Sequence, residues 1–507
     1  MSNREAVSNE VIGALHQRIS FALEILLVLL VMALSGAKDM CAQAKAAQAP
    51  GSHIPVVMLS DLHFDPFHDP AKVRLLVKAS VANWDHILEA PDDPGQQTAF
   101  ATVQGKCKAK ENSDTPFALL KSSLLAAKGQ APEVAFVTVS GDLLVHDLDC
   151  RYRATMDLEA STTDDQSVSA AFAEKTTIYV INKIKAAFPR VPVYIALGNN
   201  DSRCNHNRLD PHDAYLKASA SAVADGWRGV SPSEKAAALG TFESAGYYAL
   251  TIPAPISRTR LLVVNDIYMM PKYATCDGDD NDTQGAREQT AWLQSQLEKS
   301  RRNGERVWLL GHLPPAVNAD NLSAETGAFC ASGKVVKFQS TDDLANEMAA
   351  YPDILKLGIF GHTHMDELRL LRAKGGGVPV KVVGSVSPVS GNRPSFVVGL
   401  VDLASSKLVD YTVYEASNST GVGTKWPKEY AFDETYHEAD FSAESLSDLI
   451  SRFRDDTTAA GQESRSYEEY YSKGSTATKK SFSWPAYVCA LDNSTAAAFK
   501  ACVCQEK

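Results

Sequence analysis

The 507-residue sequence contains no Cys-x-x-Cys pair, which excludes the cysteine zinc sites and dithiol redox motifs built on that spacing. It has no excess of positive charge. Its 50 Lys and Arg face 61 Asp and Glu, and a net charge of −11 leaves no general basic footprint for nucleic acid. No glycine-rich loop opens a helix, so there is no phosphate cradle of that kind; Gly375-Gly-Gly377 reads as a turn between strands. The acidic run Asp277-Gly-Asp-Asp-Asn-Asp282 lacks the glycine that an EF-hand places after three alternating ligands, and it reads as a solvated loop. There is no internal repeat.

Long apolar runs are also scarce. The one from Phe21 to Leu34 is interrupted by Glu24 and falls short of the roughly 20 residues of a membrane span. Arg4 and Arg18 precede it and Ala42-Gln-Ala44 follows, the pattern of a cleaved signal peptide over residues 1–44. The expectation is an exported protein, periplasmic or secreted, with no stable span after cleavage. Cys41 leaves with the signal. The remaining eight cysteines are an even number that suggests disulfides, in any of 105 pairings.

Short apolar runs recur from residue 54 onward. Ile54–Leu59, Val134–Val139, Val191–Leu197, Val307–Leu310 and Ile354–Phe360 read as buried strands, each leading at once into polar residues. Arg260–Val264 and Val380–Val383 are strands without a polar tip. Amphipathic helices are expected from Thr115 to Gly129, from Val168 to Phe188, and from Arg287 to Arg302, the last stopped by Gly304. This alternation defines an α/β domain over 51–425. From Trp426 the chain reads as a helical C-terminal region, 426–507.

The polar tips are Asp61 and His63, Asp142, Asn199, His312, and His362 with His364. Each piece alone is commonplace; an Asp-x-His is usually a surface pair and a Gly-Asp usually a turn. Five strand tips that all end in ligand-type residues are a different matter. Alternate residues of an extended segment point the same way, so Asp61 and His63 are expected to reach one ion together, as are His362 and His364. Carboxylate and imidazole donors suit zinc, iron or manganese rather than calcium.

In order and spacing, Asp61-x-His63, Gly141-Asp142, Gly198-Asn199, Gly311-His312 and Gly361-His362-Thr-His364 resemble the calcineurin-like metallophosphoesterases. Ser60-Asp-Leu-His-Phe-Asp-Pro66, Gly141-Asp-Leu-Leu-Val-His146 and Trp308-Leu-Leu-Gly-His-Leu-Pro-Pro315 bring the chain nearest to the acid-sphingomyelinase-like phosphodiesterase branch. The resemblance implies two packed β-sheets flanked by helices, with a C-terminal helical extension. It also implies two divalent transition-metal ions, zinc first among them. Asp61, His63 and His364 would hold one ion, Asn199, His312 and His362 the other, and Asp142 would bridge them. His146 stands where that branch has a histidine near the leaving group, which implies a general acid.

One position departs from the pattern. The family reads Gly-Asn-His-Asp/Glu, but this chain reads Gly198-Asn-Asn-Asp201. Asn200 can donate a hydrogen bond to a phosphate oxygen but cannot deliver a proton. His206 and His212 follow in the next loop. The Asn-Asn form resembles the vacuolar endopolyphosphatases. The expected activity is therefore phosphodiester or phosphomonoester hydrolysis on a small molecule or lipid head group. Polyphosphate or nucleotide hydrolysis is the runner-up, and a metal-binding module without turnover is the rival of another class.

Overall fold

The computed structural model describes residues 52–507 apart from 108–112, 159–166, 205, 257, 277, 279–282, 319–329, 332, 473–482 and 505–507. The segment expected to be a signal peptide and most of the acidic run at 277–282 lie outside the described residues.

Two six-stranded mixed sheets form the body. The first comprises β1 (His53–Leu59), β2 (Val137–Val139), β3 (Val193–Ile195), β10 (Ser395–Asp402), β11 (Leu408–Glu415) and β12 (Lys428–Ala431), in the order β12-β11-β10-β1-β2-β3. The second comprises β4 (Tyr248–Thr251), β5 (Thr259–Val263), β6 (Arg306–Leu310), β7 (Leu355–Phe360), β8 (Glu367–Ala373) and β9 (Gly376–Val382), in the order β4-β5-β6-β7-β9-β8. β1, β2 and β3 run parallel, as do β5, β6, β7 and β9, so their carboxyl ends share a rim in each sheet. Every strand expected from the sequence is present.

Side-chain alternation explains the layering. Leu261 and Val263 of β5 join Val57, Leu59, Val137 and Val139 in one core between the sheets, where Phe136 meets Trp308 edge to face at 5.5 Å. The intervening Leu262 and Val264 face outward onto Leu293 and Leu297 of the helix Gln284–Asn303 and onto Leu344 and Met348 of the helix Asp343–Ala349. Gly304 closes the first of these helices in the left-handed conformation, as its position in the sequence suggested. Of the triple glycine, Gly375 sits in the β8–β9 turn with φ +84°, while Gly376 and Gly377 open β9 and pair with Ala373 and Arg372.

Five strands were not read from the sequence. β12 lies within the region expected to be only helical: Lys428-Glu-Tyr-Ala431 is short and half charged, and it becomes a strand only because β11 offers an edge. The helices Ala443–Asp455 and Trp484–Asp492 pack on β8 and β9. Asp492 ties them down by accepting from Arg372 Nε at 2.8 Å and from Arg454 Nη2 at 2.8 Å. None of the described helices is long and apolar enough to cross a membrane.

Eight of the nine cysteines pair as Cys107–Cys150, Cys204–Cys276, Cys330–Cys504 and Cys489–Cys502. Thiol titration of the denatured, unreduced chain is therefore expected to find at most Cys41 free, and none after removal of residues 1–44. Eight reactive thiols would contradict the pairing.

Candidate metal centre

Asp61 and His63 follow β1, Asp142 follows β2, Asn199 follows β3, His312 follows β6, and His362 and His364 follow β7. The expected extended geometry does not hold. Asp61, His63, Asp142, His362 and His364 all have positive φ, between 37° and 73°. The backbone turns sharply as each strand ends, and that turning, rather than strand alternation, aims neighbouring ligands at one point. Left-handed backbone at non-glycine residues is costly and gathers where a site must be over-determined. The adjacent glycines are required for closeness. A Cβ on Gly361 would lie 1.9 Å from Ser60 Oγ, and one on Gly198 2.2 Å from Asp142 Oδ1.

The side chains converge in two groups. In the first, His63 Nε2 lies 3.2 Å from His364 Nε2 and 3.8 Å from Asp61 Oδ1, and His364 Nε2 lies 3.4 Å from the same Asp61 oxygen. In the second, Asn199 Oδ1 is 2.9 Å from both His312 Nε2 and His362 Nδ1, and those nitrogens are 3.3 Å apart. Asp142 Oδ2 touches both groups, at 3.3 Å from His63 Nε2 and 3.4 Å from His312 Nε2. All seven expected residues thus meet, and Asp142 stands between two sets.

The donor set fits a pair of cations. His63 Nδ1 donates to the Leu144 carbonyl at 2.8 Å and His312 Nδ1 to the Ser140 carbonyl at 2.7 Å. A carbonyl can only accept, so in each neutral ring Nε2 carries a lone pair, and it faces other lone pairs. Such convergence is stable only around positive charge. In the protein alone, protons supply it. Burial opposes charge on His63, but Asp142 and Asp61 overcome this and push it up to about 9. Burial likewise opposes charge on His312, yet Asp142 first and Asp61 next push it up to about 10. Burial would raise the carboxyl of Asp142, but His312 and His63 hold it well below the usual range. His362 goes the other way, to about 4, through burial and the neighbouring His312.

Two buried carboxylates that the sequence reading passed over brace the loops. Asp201 accepts the backbone N–H of Leu143 at 2.7 Å, Leu144 at 3.1 Å and Gly198 at 2.8 Å, tying the loop after β2 to the loop after β3. Asp266 accepts from the N–H groups of His312 and Leu313, both at 2.9 Å. Burial pushes each up to about 7, Asp201 with help from Asp142.

His146 lies beside the first group. Its ring stacks on His63 with centroids 4.0 Å apart, and its Nδ1 is 3.0 Å from Asp114 Oδ1. Asp114 was also missed. It is fully buried and accepts from His146 N–H at 3.1 Å and from Ser387 Oγ at 3.0 Å. Burial would raise its carboxyl, but His146, His63 and Arg151 keep it ionised. Asn200 is not free to meet a substrate in this arrangement: its amide donates to Asp142 Oδ2 at 2.8 Å and its N–H to Asp142 Oδ1 at 2.8 Å. His206 is exposed and shares a small cleft with Asn200. His212 is exposed on a left-handed turn, its N–H bonded to the Ser244 carbonyl.

Two packed sheets bearing a histidine and carboxylate cluster across their strand ends are the architecture expected from the resemblance in the sequence. Over most of its length the chain is similar to proteins named acid sphingomyelinase-like phosphodiesterases. It is 25% identical over 415 residues to the human acid sphingomyelinase-like phosphodiesterase 3b, covering 78% of this chain and 79% of that protein. It is 25% identical over 479 residues to the mouse cyclic GMP-AMP phosphodiesterase SMPDL3A, covering 90% and 94%. An endopolyphosphatase of Schizosaccharomyces pombe is 31% identical over 189 residues, covering 36% of this chain and 28% of that protein. A dimetal phosphatase from Danio rerio is a solved structure of similar outline, with a TM-score of 0.39, 11% identity, and coverage of 71% and 95%. No family model matches the chain.

Proposed function

We propose that the chain is a two-metal phosphoester hydrolase of exported compartments, acting on phosphodiesters. One observation carries this reading: two nitrogen-and-oxygen donor sets share a single carboxylate oxygen, Asp142 Oδ2. Asp61, His63 and His364 would hold one ion and Asn199, His312 and His362 the other, with zinc the first candidate and manganese or iron the alternatives. When bound, such a pair supplies Lewis acidity toward the phosphoryl oxygens and a water made nucleophilic near neutral pH.

The protein's own groups do the rest. Asp114 takes the Nδ1 proton of His146 as a hydrogen bond, which leaves Nε2 to give a proton to a departing oxygen. Asn200 fixes the orientation of Asp142 through two hydrogen bonds. Relatives named as phosphodiesterases, which span most of the chain, favour a diester substrate. The endopolyphosphatase segment and the Asn199-Asn200 pair favour polyphosphate as a second reading. Four disulfides and the signal-like first 44 residues support export.

Elemental analysis of the purified chain, with a hydrolysis panel of a phosphodiester, a phosphomonoester, a nucleoside triphosphate, polyphosphate and a choline lipid, tests the proposal. Two ions per chain and turnover of the diester are expected. One ion at saturation, or binding without any turnover, would overturn it.

A further inference from the structure

A groove of about 990 Å³ is lined by chain neighbours and partners of the residues that hold the His146–Asp114 pair, though not by the pair itself. Three of its lining residues tie it to that pair. Ser113 precedes Asp114, Pro388 follows the Ser387 that donates to Asp114, and Asp65 pairs with Arg151, which lies 3.7 Å from Asp114. A bare phosphate needs no such space; the volume is that of a drug-sized ligand.

The lining chemistry narrows the occupant. Four carboxylates stand against two lysines, and each charge already has a partner. Lys72 pairs with Asp92 at 2.7 Å and with Asp69 at 3.6 Å, Lys121 pairs with Glu89, and Asp65 pairs with Arg151 at 3.0 Å. Among the described lining residues no cation is left over for a polyanionic chain, and their excess of carboxylates repels one. Between the charges lie ring and proline faces. Phe100 and Phe117 join Pro116, Pro388 and Val422, the last 73% exposed, and Phe100 also meets the His68 ring at 5.4 Å. Gln96 and Gln97 add uncharged polar groups.

The geometry points to this groove as the seat of the leaving alcohol of the substrate, an uncharged alcohol bearing a ring. The inference rests on the phosphodiesterase reading and sharpens it, because it assigns the leaving group to the His146 side and disfavours polyphosphate.

The test gives the full, metal-loaded chain two methyl phosphodiesters. Their leaving groups are nitrophenols of matched acidity, one bare and one carrying a benzamide substituent, so that only size differs. KM is expected to be about tenfold lower for the larger ester. Gln97 is exposed on the groove wall and outside the proposed catalytic machinery. Gln97→Trp, which fills the groove, should abolish that advantage and leave the bare ester unaffected. Equal KM values in the wild type, or equal losses on both esters in the variant, would overturn the assignment. Calorimetry with the free benzamide-bearing nitrophenol separates the two readings. Binding that weakens about tenfold in Gln97→Trp supports the groove whether or not the esters are cleaved. No binding overturns the groove. Binding with neither ester cleaved overturns the hydrolase reading alone.

Discussion

Asp142→Ala is expected to reduce the metal content from two ions to one or none and to lower kcat by at least ~10³-fold. The carboxylate lies within 3.4 Å of a histidine nitrogen from each donor set, so its loss opens both sets at once. Shared coordination is worth several kcal/mol to a phosphoryl transition state, and each ~1.4 kcal/mol is tenfold in rate. The variant also strips Asn200 of both its acceptors, which leaves buried donors unpaired at a cost of ~1–3 kcal/mol. Asp142→Asn separates these effects. It keeps one acceptor for the two Asn200 donors but removes the charge, so it should melt between the wild type and Asp142→Ala while still failing to hold two ions. Elemental analysis, thermal melting and steady-state rates on each variant check this. An Asp142→Ala protein with two ions and full activity would refute the two-metal reading.

The centre was legible in the sequence because its residues sit immediately after strands, and strands of continuous Val, Ile and Leu announce themselves. What the pattern could not convey was the backbone at the tips. Asp61-x-His63 suggests strand alternation, yet both residues are left-handed, and nothing in the residue types distinguishes the two geometries. The braces were hidden for a related reason. Asp114, Asp201 and Asp266 are single aspartates in loops, indistinguishable from turn residues until the fold buries them against backbone N–H groups 32, 58 and 46 positions away in the chain. Asp201 alone had a local signal, the Gly198-Asn-Asn-Asp201 run in which it stands.

The same limit applies to the fold. β10 and β11 carry ordinary strand composition but no functional tip, and attention to tips left them unread. β12 has no strand signal of its own and owes its conformation to β11. For Asn200, the residue type speaks against proton delivery, but only the structure shows its amide donating to Asp142 Oδ2. On the function proposed above, acid catalysis then falls to His146, which among the described residues stacks on the cluster through His63.

His146→Ala is accordingly expected to slow alkyl phosphodiesters by ~10²–10⁴-fold, the usual worth of a general acid, and aryl diesters far less. An alkoxide is basic and needs a proton as it leaves, whereas a nitrophenolate departs without one. Asp114→Asn should reproduce the selectivity in weaker form. It retains an acceptor for the Nδ1 proton and for Ser387 but loses the negative charge beside the ring and the acceptor of the His146 backbone N–H. Asn200→Ala should slow both classes alike, because its amide acts through Asp142 and not on the leaving group. Rates on matched alkyl and aryl substrates, with metal content measured for every variant, give the comparison. The metal readout matters because His63 and His146 stack at 4.0 Å, and a variant that sheds an ion would slow both substrate classes equally. A metal-replete His146→Ala that loses the same factor on alkyl and aryl diesters would remove the acid assignment, and exposed His206, which shares the cleft with Asn200, would be the next position to replace.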